Sequence, residues 1–237
     1  MRSLGRAAAE TLREALKPQS RYQPKQALLS VEQTANLGGG TVWSLSKLNE
    51  VAEVAHAHGM ATHMDGARLM NAVVQSGVPA AEMVAHYDSV WLDFTKGLGA
   101  PLGAALCGTT DFIDAAWRYK QRMGGSMRQG GLSAAGCLYS LDHHIDRLAD
   151  DHTNAATLAR GLAQIEGIKV QMPQTNLVFL DTKGTGRNAA DIAQAMRAHG
   201  VMVSTMGEYR VRACTHLDVD AKGIDEAVAV FKQVLAA

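Results

Sequence analysis

The sequence predicts an α/β fold that carries a smaller α+β layer at its C-terminal end. Three observations predict it. Apolar strand-like runs alternate with helical periodicity through the first half of the chain. Asp65 and Lys96 each close one of those runs, 31 residues apart, the length of one strand–helix unit. The last part of the chain reads strand, strand, helix, strand, strand, helix, a layer with helices on one face. In open α/β sheets ligands bind outside the carboxyl ends of the strands. Neighbouring strands would therefore bring a carboxylate and an amine to one crevice.

Each element has its own warrant. Residues 7–17 suit a helix, with Leu12 and Leu16 four apart and Pro18 and Pro24 beyond. Residues 27–31 read as a buried strand. Gly38, Gly39 and Gly40 read as a turn before a helix, because no Walker lysine follows and the spacing misses the dinucleotide fingerprint. Ser46 with Asn49 and Glu50 resembles a capping signal. Leu48, Val51, Ala52 and Ala55 give that helix its buried stripe, and Gly59 closes it. Residues 60–64 form the next strand, where His63 and Asp65 share a face by the period of two. A helix holding Arg68, Met70 and Val73 follows, ended by Gly77, and Pro79 starts a short one.

Residues 89–95 lead to Lys96, and residues 104–107 make one more strand. Asp111 is read as the cap of a helix with Phe112, Ile113 and Ala116 inward. Its last turn carries Arg118, Lys120 and Arg122, which suit a helix C-terminus. From Leu132 to Gln164 the pattern is helical with hardly a break, on Leu138, Leu141, Ile145, Leu148 and Leu158. His143, His144 and His152 are expected to face solvent or a subunit contact, since their spacing suits no metal. The terminal pieces are residues 168–171, 176–181, 189–199, 201–205, 210–215 and 224–235. A boundary at residues 131/132 separates 1–131 from a connecting helix and small domain over 132–237.

Composition narrows the classes of function. The 237 residues are 47% hydrophobic and 19% charged, enough for a sizeable core. Lys+Arg and Asp+Glu both number 23, so bulk charge attracts neither nucleic acid nor an anionic membrane. Cys107, Cys137 and Cys214 are unclustered, which fits reduced thiols rather than a disulfide framework or zinc site. No apolar run is long enough to span a membrane. Residues 1–6 lack the apolar centre of a signal peptide, and Glu10 and Glu14 argue against a transit peptide. A cytoplasmic protein is expected.

An acid and a lysine so placed suit pyridoxal phosphate. The lysine bonds the aldehyde, and the acid keeps the pyridine nitrogen protonated so that the ring accepts electrons. An ordinary surface lysine and a helix-capping aspartate are the alternative. The wording around them decides between the two. His63-Met64-Asp65-Gly66-Ala67-Arg68-Leu69, Thr95-Lys96-Gly97-Leu98-Gly99-Ala100-Pro101 and Gly124-Gly125-Ser126-Met127-Arg128-Gln129-Gly130-Gly131 occur in order. Together they resemble the low-specificity L-threonine aldolases, pyridoxal-phosphate enzymes of fold type I, over nearly the whole chain.

The resemblance implies a large cofactor domain, here N-terminally incomplete, and a small C-terminal α+β domain. It implies that Lys96 carries the cofactor and Asp65 pairs with its ring nitrogen. Arg68 and Arg212 then bind the substrate carboxylate, for which paired guanidinium hydrogen bonds are suited. Arg210, two residues away on the same face, is the control for Arg212. Arg128 is carried over toward the cofactor phosphate, in its own or a neighbouring subunit. The implied reaction cleaves Cα–Cβ of a β-hydroxy-α-amino acid such as L-threonine, giving glycine and an aldehyde, in a homo-oligomer.

Two departures accompany it. The family's first third, with a Ser-Gly-Thr phosphate loop, a ring-stacking histidine and a serine near the substrate, has no counterpart upstream of Glu32. Ala35 also stands where the family has a histidine near the substrate hydroxyl. The chain alone is therefore expected to retain the cofactor weakly and to cleave threonine poorly. Two other readings stay open. One is another fold-type-I enzyme, an aminotransferase or a β-eliminating lyase. The other is an inactive paralogue that acts only as a fragment or subunit partner.

Overall fold

The computed structural model describes residues 8–18 and 20–236. The leader reading on residues 1–6, and residue 7 of the expected first helix, lie outside them. The elements follow the order α1 (Ala8–Ala15), β1 (Leu28–Glu32), α2 (Leu45–Ala57), β2 (Ala61–Gly66), α3 (Leu69–Ser76), α4 (Ala80–Val84), β3 (Ser89–Asp93) and β4 (Ala104–Gly108). Then come α5 (Thr110–Arg122), α6 (Gly131–His143), α7 (Leu148–Leu162), β5 (Lys169–Gln171), β6 (Leu177–Asp181), α8 (Ala189–Ala198), β7 (Ser204–Thr205), β8 (Arg210–Cys214) and α9 (Ala221–Ala236).

The first sheet has the order β1-β2-β3-β4. β1, β2 and β3 run parallel, and β4 returns antiparallel to β3. The register pairs Glu32 with Asp65 and Asp65 with Trp91. Period-two alternation then gives the sheet two unlike faces. Val31, Met64, Val90 and Leu92 pack into one core with Leu48, Val51 and Val54 of α2. The opposite face carries Ser30 and Glu32, His63 and Asp65, and Ser89, Trp91 and Asp93. Apolar residues therefore recur at every second position on the α2 side, and the alternate positions carry polar side chains and Trp91, of which Ser89 and Asp93 are buried.

The second sheet is antiparallel, β5-β6-β8-β7. Val178, Leu180, Val211 and Ala213 pack against Leu158 and Leu162 of α7, Ile192 and Met196 of α8, and Phe231 of α9. A third core joins Phe94, Leu98 and Ala100, in the segment that follows β3, to Leu148 of α7.

The structure revises several local expectations. β1 lies at the sheet edge, so of its residues Val31 alone is buried. The continuous helix over 132–164 is two helices, α6 and α7, separated at residues 144–147. The break lets His144 Nδ1 bond Leu98 O at 2.6 Å, so that side chain is a structural contact. His152 likewise meets Asn71 Nδ2 at 3.1 Å. Ser44, not Ser46, stands at the N-cap of α2. Thr109 rather than Asp111 caps α5, its hydroxyl accepting from Phe112 N at 3.3 Å. No α5 residue is buried, and Phe112 is exposed. The strand expected over 201–205 shortens to Ser204–Thr205.

Candidate active site

The segment that leaves β3 is built to present one amine. Asp93 is the last residue of the strand, buried on the polar face. Its Oδ1 accepts from both Thr95 N and Thr95 Oγ1 at 2.7 Å. Its Oδ2 accepts from Lys96 Nζ at 2.5 Å. The same amine lies 5.0 Å from the centre of the Trp91 ring, two positions back on that face. Burial pushes the Asp93 carboxyl up, but Lys96 and Thr95 outweigh it and hold it below the usual carboxylate range.

Behind Lys96 the chain has no room for side chains. A Cβ on Gly97 would stand 2.9 Å from Leu148 Cδ2 and 3.0 Å from Asn71 Oδ1. Gly99 takes φ +69°, where a Cβ would meet Leu217 Cδ2 at 3.1 Å. These two glycines let the turn press between α3, α7 and the loop after β8.

Lys96 opens on a cavity of about 400 Å³ bordered by Arg68, Asn176, Cys214, His216 and Asp218. Arg68 precedes α3 and is 9% exposed, with its backbone N–H donating to Gln33 O at 3.0 Å. Its Nε–H has no hydrogen-bond partner among the described residues. A buried, incompletely satisfied guanidinium beside an amine suits an anionic ligand. Desolvation raises the pKa of the Cys214 thiol, while the nearby Arg68 and Arg212 lower it without reversing the shift. His216 Nδ1 accepts from Asp218 N at 3.3 Å and sits 3.5 Å from Asp218 Oδ2.

The residues read from the sequence fall into four places. Lys96 and Arg68 share the cavity. Asp65 stands one strand over, in register with Trp91 on the face that Asp93 and Lys96 use. Its Oδ1 accepts from Ala67 N at 3.0 Å, which fixes the carboxylate. Arg212 is bound instead to Asn36 Oδ1 at 2.8 Å, and Arg210 to Leu37 O at 3.1 Å, so both arginines point toward the first sheet. Arg128 is exposed in the turn before α6 and does not border the cavity. The sequence reading missed Asp93, Trp91 and Asn36. The alternation Ser89, Trp91, Asp93 and the three-residue step from Asp93 to Lys96 were signals for the first two. Nothing local marks Asn36, whose partner is 176 residues away.

An amine and a fixed carboxylate at the carboxyl edges of adjacent parallel strands are the groups pyridoxal phosphate needs, so Lys96 and Asp65 fit it. The family model for beta-eliminating lyases matches residues 2–185. This chain belongs to that family. The chain is 36% identical over 221 residues to the low specificity L-threonine aldolase of Escherichia coli K12, covering 93% of the chain and 64% of that relative. Among solved structures, a Leishmania major threonine aldolase superposes with a TM-score of 0.76 at 22% identity, over 96% of this chain and 67% of that one. A Thermus thermophilus aspartate aminotransferase superposes with a TM-score of 0.67 at 17% identity, over 95% and 63%. The fold is therefore that of the fold-type-I enzymes, as the sequence motifs implied. The chain spans under two thirds of the length of the curated aldolases it matches.

Proposed function

We propose that this chain takes part in pyridoxal-phosphate-dependent cleavage of β-hydroxy-α-amino acids, L-threonine being the substrate to test first. The observation that carries the reading is Lys96 and the incompletely satisfied Arg68 facing one cavity, with Asp65 at the edge of the neighbouring strand. Lys96 would hold the cofactor through its side-chain nitrogen, and Asp65 would pair with the pyridine nitrogen and keep it protonated. When bound, the cofactor supplies the sink for the electron pair left on Cα as the Cα–Cβ bond breaks. Arg68 takes the substrate carboxylate, and Arg212 joins it after exchanging Asn36 for that anion. Arg128 is assigned to the cofactor phosphate, from its own or a neighbouring subunit.

On this reading residues 1–131 are the partial cofactor domain, and 132–237 are the connecting helices and small domain. The two separate sheets and their separate cores support that division. A homo-oligomer in the cytoplasm completes the proposal. Among the described residues no helix is long and apolar enough to cross a membrane.

The test is reduction with borohydride in the presence of pyridoxal phosphate, followed by peptide mapping. Label is expected on Lys96. Label on Lys120 or Lys47 instead would sink the assignment. Glycine formation from L-threonine by the purified chain with excess cofactor then measures the activity.

A further inference from the structure

The Asp93 carboxylate is engaged on both oxygens. Two bonds from Thr95 fix Oδ1, so Oδ2 is held in one place, and that place is where the Lys96 amine rests. The carboxylate is 8% exposed, while the lysine side chain is 36% exposed toward the cavity. The Trp91 ring centre lies 5.0 Å from the same amine. The remaining ionisable groups bordering the cavity are Arg68, Cys214, His216 and Asp218. Asp93 is thus the acid that touches Lys96, and it is distinct from Asp65, the acid assigned to the cofactor.

We propose that Asp93 is a positioning residue that holds Lys96 in a resting pose and thereby restrains its reaction with carbonyl compounds until the amine is drawn off. The inference rests on Lys96 being the aldehyde-carrying residue. Its physical basis is geometric. A nitrogen bound to Oδ2 as an ammonium has no lone pair to offer. To react it must leave Asp93 and give one proton to solvent. It then bonds the aldehyde carbon, and the aldehyde oxygen departs as water with the two remaining nitrogen protons. A buried carboxylate that loses its cationic partner becomes an uncompensated charge, so separation is opposed. The Thr95 bonds add to this restraint by preventing the carboxylate from following the amine.

The experiment uses the full chain without substrate. Pyridoxal phosphate and borohydride are added for timed intervals; the reductant delivers hydride to the carbon and solvent supplies the proton on nitrogen. Peptide mapping gives the rate of modification at Lys96 relative to exposed Lys47. The substitution Asp93→Asn keeps an oxygen for Thr95 and removes the anion from Lys96. The Lys96/Lys47 ratio should rise about tenfold. Thr95→Val, which loosens Asp93 while leaving it charged, should raise the ratio by a smaller factor and guards against a variant that fails to fold. A merely structural ion pair would lower the unfolding temperature of Asp93→Asn and leave the ratio unchanged; that result overturns the proposal. Modification of Lys96 at equal rates in all three proteins leaves the assignment of Lys96 standing and removes the role of Asp93. No modification of Lys96 in any of them overturns both.

Discussion

Arg212 of the second sheet donates to Asn36 Oδ1 at 2.8 Å, on the loop between β1 and α2. Four further hydrogen bonds from the small layer grip that loop. Arg210 takes Leu37 O, Gln171 Nε2 takes Gly38 O, Thr175 Oγ1 takes Gly40 O, and Gln174 Oε1 receives Val42 N. The pair therefore joins the two layers through a residue that the proposed function needs for a ligand.

Asn36→Ala should release Arg212 and weaken this junction. A hydrogen bond to a charged group is worth about 1.5–3 kcal/mol, and the partly exposed setting places this one at the low end. In a chain of this size each kcal/mol moves the melting temperature by roughly 2–4 °C. Calorimetry checks the shift. A melting temperature equal to that of the unaltered chain would show that the bond contributes nothing net.

Gly39→Ala should cost more than Gly59→Ala. Both glycines have positive φ, +96° and +67°. At Gly59 nothing lies within 4 Å of the added carbon, so only the backbone penalty of about 1–2 kcal/mol applies. At Gly39 the carbon would stand 2.2 Å from Gln171 Nε2, and moving that amide breaks its bond to Gly38 O. Denaturant titration of the two variants gives the comparison. Equal midpoints would mean that Gln171 swings away without loss.

Gly97→Ala should cost about 1–3 kcal/mol, as overpacking does, and should slow cofactor trapping at Lys96. The added carbon meets Leu148 Cδ2 at 2.9 Å and Asn71 Oδ1 at 3.0 Å, and the loop must shift to accept it. Leu148→Ala alone should cost about 2–5 kcal/mol, because the side chain is fully buried. Combined, the two should cost less than their sum, since each relieves the other's misfit. A double-mutant cycle on unfolding energies decides it. Strict additivity would place the strain elsewhere.

Stability should fall as pH drops below about 6.5, the ordinary value for histidine, and His152 should carry part of that fall. Desolvation depresses the His152 pKa, and the Asp151 charge only partly offsets it. The unfolded chain therefore binds a proton at a higher pH than the folded one. The contribution is fully present above the unfolded pKa and is lost as pH falls through the folded one. His152→Gln keeps a polar partner for Asn71 and should flatten the curve from about pH 6.5 downward. Parallel curves for the two proteins would exclude His152 as a source.

The sequence by itself determined the elements and the family. Periodicity located the strands and most helices, because side chains packed on one face recur at the period of the backbone. Asp65, Arg68 and Lys96 were legible because short-range rules put them at strand ends and at a helix start, and because their surrounding wording is distinctive. Tertiary structure alone decided what those residues meet. The sheet register set Asp65 beside Trp91, and the turn over Gly97 laid Lys96 on Asp93. The break at residues 144–147 was hidden because helical periodicity continues across it, and the tertiary contact of His144 with Leu98 O accompanies the turn there. Arg212 and Arg210 have the same spacing signal and the same strand face. Which carbonyl or amide each one meets depends on a loop more than 170 residues away, brought there by the tertiary fold rather than by any local pattern.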